Sequence, residues 1–114
     1  MKIIILICGL ILTFSGCISQ DVERNVPQCI EEIIKDLQNQ EVWNPPAKVI
    51  RYRYDRQYVY YIPQHCCDFP SLLYDESCNL ICSPDGGISG NGDGKCPDFF
   101  DNRTDEEIIW QDSR

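Results

Sequence analysis

Cysteine placement constrains this chain more than any other feature. Eight cysteines are spread over 114 residues, and they divide by position. Cys8 falls inside an apolar run, Ile3 to Phe14, which follows a single cation, Lys2, and ends on the small residues Ser15 and Gly16. A basic start, an apolar stretch of roughly 7–15 residues and small residues at the cut are the physical marks of an export signal. Cys17 comes next and is either modified or removed, so Cys29, Cys66, Cys67, Cys78, Cys82 and Cys96 remain in both cases. An even set in a short exported chain is expected to oxidise into three bridges, with the pairing left open. In a reducing compartment, His65-Cys66-Cys67 with Cys78 and Cys82 would read as a zinc site instead. Export decides for disulfides, and no metal or other cofactor is called for.

The end of the leader, Phe14-Ser15-Gly16-Cys17, resembles the lipobox of bacterial lipoproteins, in which the cysteine is lipidated and becomes the new first residue. Phe14 stands where that family usually has Leu, a change that keeps bulk and apolarity. The resemblance implies a signal peptide over 1–16, a tether over 17–25 that begins on acylated Cys17, and one domain over 26–114. Ile18 after the cysteine, without Asp there, resembles outer-membrane sorting and implies an outer-membrane lipoprotein on its periplasmic or surface face. Two rivals stand beside this. Cleavage after Ser19 would release a soluble secreted protein, and a retained span would need about 20 apolar residues, more than Ile3 to Ile18 offers. Charge agrees with a lipid anchor: the formal net charge is −8, and loss of Lys2 makes the remainder more acidic. Such acidity excludes nucleic acid and docking on anionic head groups. Acyl chains contribute about 0.8 kcal/mol per buried methylene and need no help from charge.

Beyond the polar tether, Val26 to Gln40 reads as an amphipathic helix. Val26, Cys29, Ile30, Ile33, Ile34 and Leu37 fall on one face at helical spacing, and Pro27 suits the first turn. Cys29 on that stripe can staple the helix to what it covers. Asn44-Pro45-Pro46 stops any helix. Lys48 to Ile62 reads as two strands joined at Asp55-Arg56, because β-branched and aromatic residues dominate. A two-residue turn places Ile50, Tyr52, Val59 and Tyr61 on one face, and Arg51 and Arg53 opposite Tyr60 and Tyr58 on the other. That second face reads either as an aromatic–guanidinium platform for a ligand or as arginine stacked on tyrosine at an ordinary solvated surface. Ser71 to Ser83 repeats the hairpin form around Asp75-Glu76-Ser77, and Glu106 to Gln111 makes a last strand at a sheet edge. The expected fold class is α+β, with one N-terminal helix on a mostly antiparallel sheet of about five strands in two layers.

Ser83 to Phe100 is rich in glycine and proline and demands special backbone angles. Asp85, Asn91, Asp93, Asp98 and Asp101 could give oxygen ligands to calcium, and Asn91-Gly92-Asp93-Gly94 resembles part of an EF-hand loop. The template fails, since its last position falls on Phe100 where a bidentate Glu is needed. A turn-rich loop pinned by Cys82 and Cys96 is the plainer reading. A rigid loop at 84–97 could also inhibit a protease through Lys95, although the cysteine spacing matches neither Kazal nor Kunitz frameworks. Catalysis has little to stand on: the single histidine, His65, precedes two cysteines and has no nucleophile in a motif beside it.

VPxCI at Val26 to Ile30, NPPAxV at Asn44 to Val49 and VYYIPxxCCD at Val59 to Asp68 resemble a family of uncharacterised bacterial lipoproteins, a domain of unknown function of Bacteroidetes type. LYDxxCNxIC at Leu73 to Cys82, PDGGxxGxGDGKCPDFF at Pro84 to Phe100 and IIWxDxR at Ile108 to Arg114 extend the likeness over nearly all of the domain. It implies an envelope lipoprotein and no particular activity, cofactor or catalytic residue. The expectation is a lipid-anchored, non-catalytic binding or interaction module for a protein or glycan partner. The alternative is a protease inhibitor, anchored or secreted, that presents the 84–97 loop.

Overall fold

A computed structural model describes residues 25–65 and 68–114. The expected signal peptide, Cys17, the expected tether up to residue 24, Cys66 and Cys67 lie outside the described residues. The sheet is organised around a hairpin of β1 (Lys48–Tyr54) and β2 (Gln57–Ile62). Its two turn residues, Asp55 and Arg56, sit at φ of 49° and 64°. Two consecutive left-handed residues give the turn whose twist matches a right-twisted strand pair. The pairs Ile50–Tyr61, Arg51–Tyr60, Tyr52–Val59, Arg53–Tyr58 and Tyr54–Gln57 therefore form as the sequence predicts. Short strands β3 (Leu72–Tyr74) and β4 (Leu80–Cys82) follow, and β5 (Thr104–Gln111) returns to pair with β1. The order is β4-β3-β2-β1-β5, antiparallel throughout. β5 starts two residues before the predicted Glu106, and its register against β1 shifts twice to fit the extra residues.

Helix α1 (Gln28–Gln38) lies inside the predicted 26–40. Pro27 precedes it, and its carbonyl accepts from the N–H groups of Ile30 and Glu31. Ile30 and Leu37 bury against Val49, Tyr60 and Ile62, and the Cys29–Cys78 disulfide ties the helix to the β3–β4 turn. Asp75 shapes that turn by accepting from the N–H groups of Ser77 and Asn79. On the opposite face Ile50, Tyr52, Tyr54, Val59, Tyr61 and Leu73 pack around Phe99, which is fully buried. Phe99 belongs to a single helical turn, α2 (Phe99–Asn102), and meets Tyr52 and Tyr54 edge-on at 5.6 and 5.3 Å. The two-layer expectation is thus extended: the glycine-rich segment and α2 form a third layer. The physical reason is that a face carrying three buried tyrosines and Ile50 must be dried by something, and among the described residues the only long helix, α1, covers the other face.

Two residues near the end of the chain lock the helix from outside. Asp112 is buried and binds Arg114 through both carboxylate oxygens, with the closest contact at 2.7 Å. Arg114 then donates to the carbonyls of Leu37, Gln38 and Gln40 at 3.2, 2.8 and 3.0 Å. These carbonyls lie at and just past the helix C-terminus, where a cation also opposes the negative dipole end. The Arg114 guanidinium, followed by its N–H, holds the Asp112 carboxyl below the usual aspartate range.

Replacing Cys29 and Cys78 by serine removes a cross-link that spans 49 residues, whereas Cys82 and Cys96 span 14. Chain-entropy arithmetic gives losses of about 4 and about 3 kcal/mol, which urea denaturation of the two double variants will rank. Asp112→Asn is expected to lower Tm by a few degrees at neutral pH. A depressed folded-state pKa contributes stability above the unfolded value of about 4 and loses it as pH falls further. The Tm gap between wild type and variant should therefore close below about pH 4 in a pH series of melts.

Candidate functional site

Residues 83–97 leave β4 and fold back over the sheet without regular structure. Positive φ at Gly86 and Gly92 is what lets them do so. A Cβ on Gly92 would lie 1.8 Å from the Ser83 carbonyl oxygen, while the Gly92 N–H donates to Gly86 O at 3.0 Å. Asp93 accepts from the N–H of Lys95 at 3.0 Å and of Ser83 at 3.1 Å, which holds its carboxyl below the ordinary range. The Cys82–Cys96 disulfide closes the segment at its base. Asp98 accepts from the Tyr54 hydroxyl at 2.6 Å and from Asn102 at 2.9 Å, and these bonds lower its pKa. The Tyr54 hydroxyl is correspondingly pushed up to about 12, first by Asp98 and then by burial.

Asp85 occupies the key position. One of its oxygens, Oδ1, accepts from the Tyr61 hydroxyl at 2.7 Å and from the Ser71 hydroxyl. Ser71 and Asp85 also pair through their backbones, Ser71 N–H to Asp85 O at 3.0 Å. Ser71 is buried to 2% exposure and Tyr61 to 6%, so both donors approach from the protein side. Burial first, then the bond to Asp85, raises the Tyr61 pKa. Oδ2 of Asp85 accepts no hydrogen bond among the described residues, and Asp85 lines a cleft of about 250 Å³. The cleft is lined by Tyr61, Pro63, Gln64, His65, Phe69, Ser71, Asp85 and Gly86. Its aromatic wall is ordered by stacking, with His65 4.3 Å from Trp43 and 5.8 Å from Phe69 between ring centroids. Phe69 is 56% exposed, and the buried Nδ1 of His65 has no partner among the described residues.

The calcium candidates do not converge. Asp85, Asp93 and Asp98 each satisfy different protein donors, and Asn91 is exposed. No group of three His, Cys, Asp or Glu able to hold a metal ion occurs among the described residues. Lys95 is exposed inside a tight turn rather than on an extended peptide. Arg51 and Arg53 both stack on Tyr58, at 4.6 and 4.9 Å, and Arg51 is paired with Glu107. They lie on the helix side of the sheet, away from Asp85. Disulfide candidates Cys29, Cys78, Cys82 and Cys96 are bonded as described above. Sequence reasoning named Asp85 for another role and passed over Tyr61, Ser71, Phe69 and Trp43. The only available signal was that Asp85 precedes a double glycine, which marks a constrained acidic turn.

Residues 35–112 match a family model described as Domain of unknown function (DUF6970). The chain belongs to this family. No curated protein and no solved structure matches it. The DUF6970 region starts within α1 and ends on Asp112, so it contains every strand, the glycine-rich segment and the whole cleft. Cys29 lies outside it, although its partner Cys78 lies within.

Gly92→Ala is expected to fail to fold or to lose most of its stability, because backbone atoms on three residues would have to move. Gly90→Ala meets nothing within 4 Å and carries only the cost of a positive φ, about 1–2 kcal/mol. Thermal melts of the two variants provide the comparison.

Proposed function

We propose that this chain is a lipid-anchored binding module of the bacterial cell envelope, without catalysis, whose recognition site is the Asp85 cleft. The leader and Cys17 support export and anchoring, and the two disulfides suit an oxidising compartment. Among the described residues no helix is long and apolar enough to cross a membrane; in this reading attachment is through the acylated cysteine. The observation that carries the binding role is the fixed carboxylate: two buried hydroxyls hold Oδ1 of Asp85, a residue that lines an open cleft together with the exposed ring of Phe69. Such preorganisation lowers the ordering cost of binding. Ile88, two residues beyond the cleft-lining Gly86, is 96% exposed and adds apolar surface to the same segment. A serine hydrolase of the Ser-His type would need its hydroxyl activated by the imidazole; here the Ser71 and Tyr61 hydroxyls donate to Asp85 instead.

Two measurements test this reading. Intact mass of protein purified from membranes should show diacyl or triacyl modification at Cys17, and Cys17→Ser should shift the protein to the soluble fraction. An NMR screen of a chemically mixed fragment set should place its hits on residues 61–65, 69–71 and 84–88. Hits scattered over α1 and β5, or turnover of any fragment, would remove the binding-module reading.

A further inference from the structure

Resting on that reading, we propose that the Asp85 cleft takes an alkylammonium group, the end of a lysine side chain or of an alkyl diamine. The first argument is the balance of donors and acceptors. Oδ1 of Asp85 is saturated by Tyr61 and Ser71, whereas Oδ2 offers a carboxylate acceptor with no partner among the described residues. Backbone groups that could serve a ligand as donors are engaged: the Gly86 N–H donates to Gly90 O at 3.1 Å, and the Ser71 N–H to Asp85 O. What the lining offers a ligand is one carboxylate, π faces, the Gln64 amide and the His65 imidazole, with no Lys or Arg among them. Phe69 and His65 stack on one another in the lining, and Tyr61 lines the cleft as well. A cation above aromatic faces and against a carboxylate is the group such a lining favours.

Electrostatics points the same way. No Lys or Arg lines the cleft, and the whole chain carries a net charge of −8. Asp68 is exposed just before Phe69, so the rim is acidic as well. The field of an acidic protein concentrates cations and speeds their arrival. An anionic ligand would face this field with no counter-charge among the lining residues. A neutral sugar could use the aromatic wall but would gain nothing from the field. The volume, about 250 Å³, holds an ammonium head with a short alkyl stem.

Butane-1,4-diamine and an Nα-acetyl-lysine N-methylamide probe, with n-butanol and glucose as neutral controls, test the proposal by NMR titration of the full domain. Both ammonium probes should shift residues 61–65, 69–71 and 85–86, and the affinity should fall several-fold between low and high salt. Tighter binding of the diamine would assign a free polyamine, and tighter binding of the lysine probe would assign a peptide side chain. Asp85→Asn should abolish binding. Because that carboxylate also holds the segment, Phe69→Leu serves as the second variant: the ring is exposed, the fold should be unaffected, and affinity should drop several-fold. Equal response to the neutral controls, salt-independent binding, or full affinity in Phe69→Leu would overturn the proposal. Cleft hits from neutral fragments alone would overturn it while leaving the binding-module reading in place.

Discussion

The register of the β1–β2 hairpin is the constraint on which the remainder depends. Side chains alternate along a strand, so slipping the pairing by one residue exchanges the two faces completely. With Asp55 and Arg56 both in the left-handed region, that slip is blocked at the turn. Tyr52, Tyr54 and Tyr61 are then committed to one face together, and Val49, Tyr60 and Ile62 to the other. Helix α1 covers the second set because its apolar stripe is the right width. The first set needs a cover that tolerates phenol hydroxyls, and an acidic, glycine-rich segment meets that need.

This explains where much of the acidity goes. Tyr52 donates to Glu106, Tyr54 to Asp98 and Tyr61 to Asp85, at 2.6, 2.6 and 2.7 Å. Three half-buried phenols are each terminated by a carboxylate, as a buried polar group requires. Burial followed by the Glu106 bond pushes the Tyr52 hydroxyl up to about 12. Carboxylates that look like surplus charge in the sequence are structural acceptors, which is why they are spread along the segment instead of gathered at one ion. Arg103 caps the end of this arrangement, 4.7 Å above the Phe100 ring and 5.1 Å above Tyr52.

Elements set by local pattern were legible in the sequence. The helix, both hairpins and the pairing of Ile50 with Tyr61 follow from periodicity and turn residues; the pairing of Cys82 with Cys96 was left open by the sequence and comes from the structure. The role of Cys29 as a staple was also readable, but not its partner, because nothing local connects it to Cys78. Two kinds of feature escaped. The third layer depends on Phe99 inserting among tyrosines from distant strands. The cleft depends on Asp85 meeting Tyr61 and Ser71, 24 and 14 residues away, with no periodic signal between them. Arg114 shows the same difficulty: its motif was visible, yet its acceptors lie 74 to 77 residues earlier.

Under the proposed anchoring at Cys17, the position of Cys29 has a mechanical consequence. It is the second residue of α1, so tension arriving from the N-terminal side reaches a covalent junction almost as soon as it enters the fold. From there the shortest covalent route to Asp85 crosses to Cys78 and runs through β4, bypassing the helix and the long hairpin. Drag on something held at the cleft would load that short strap, while α1, β1 and β2 stay out of the force path.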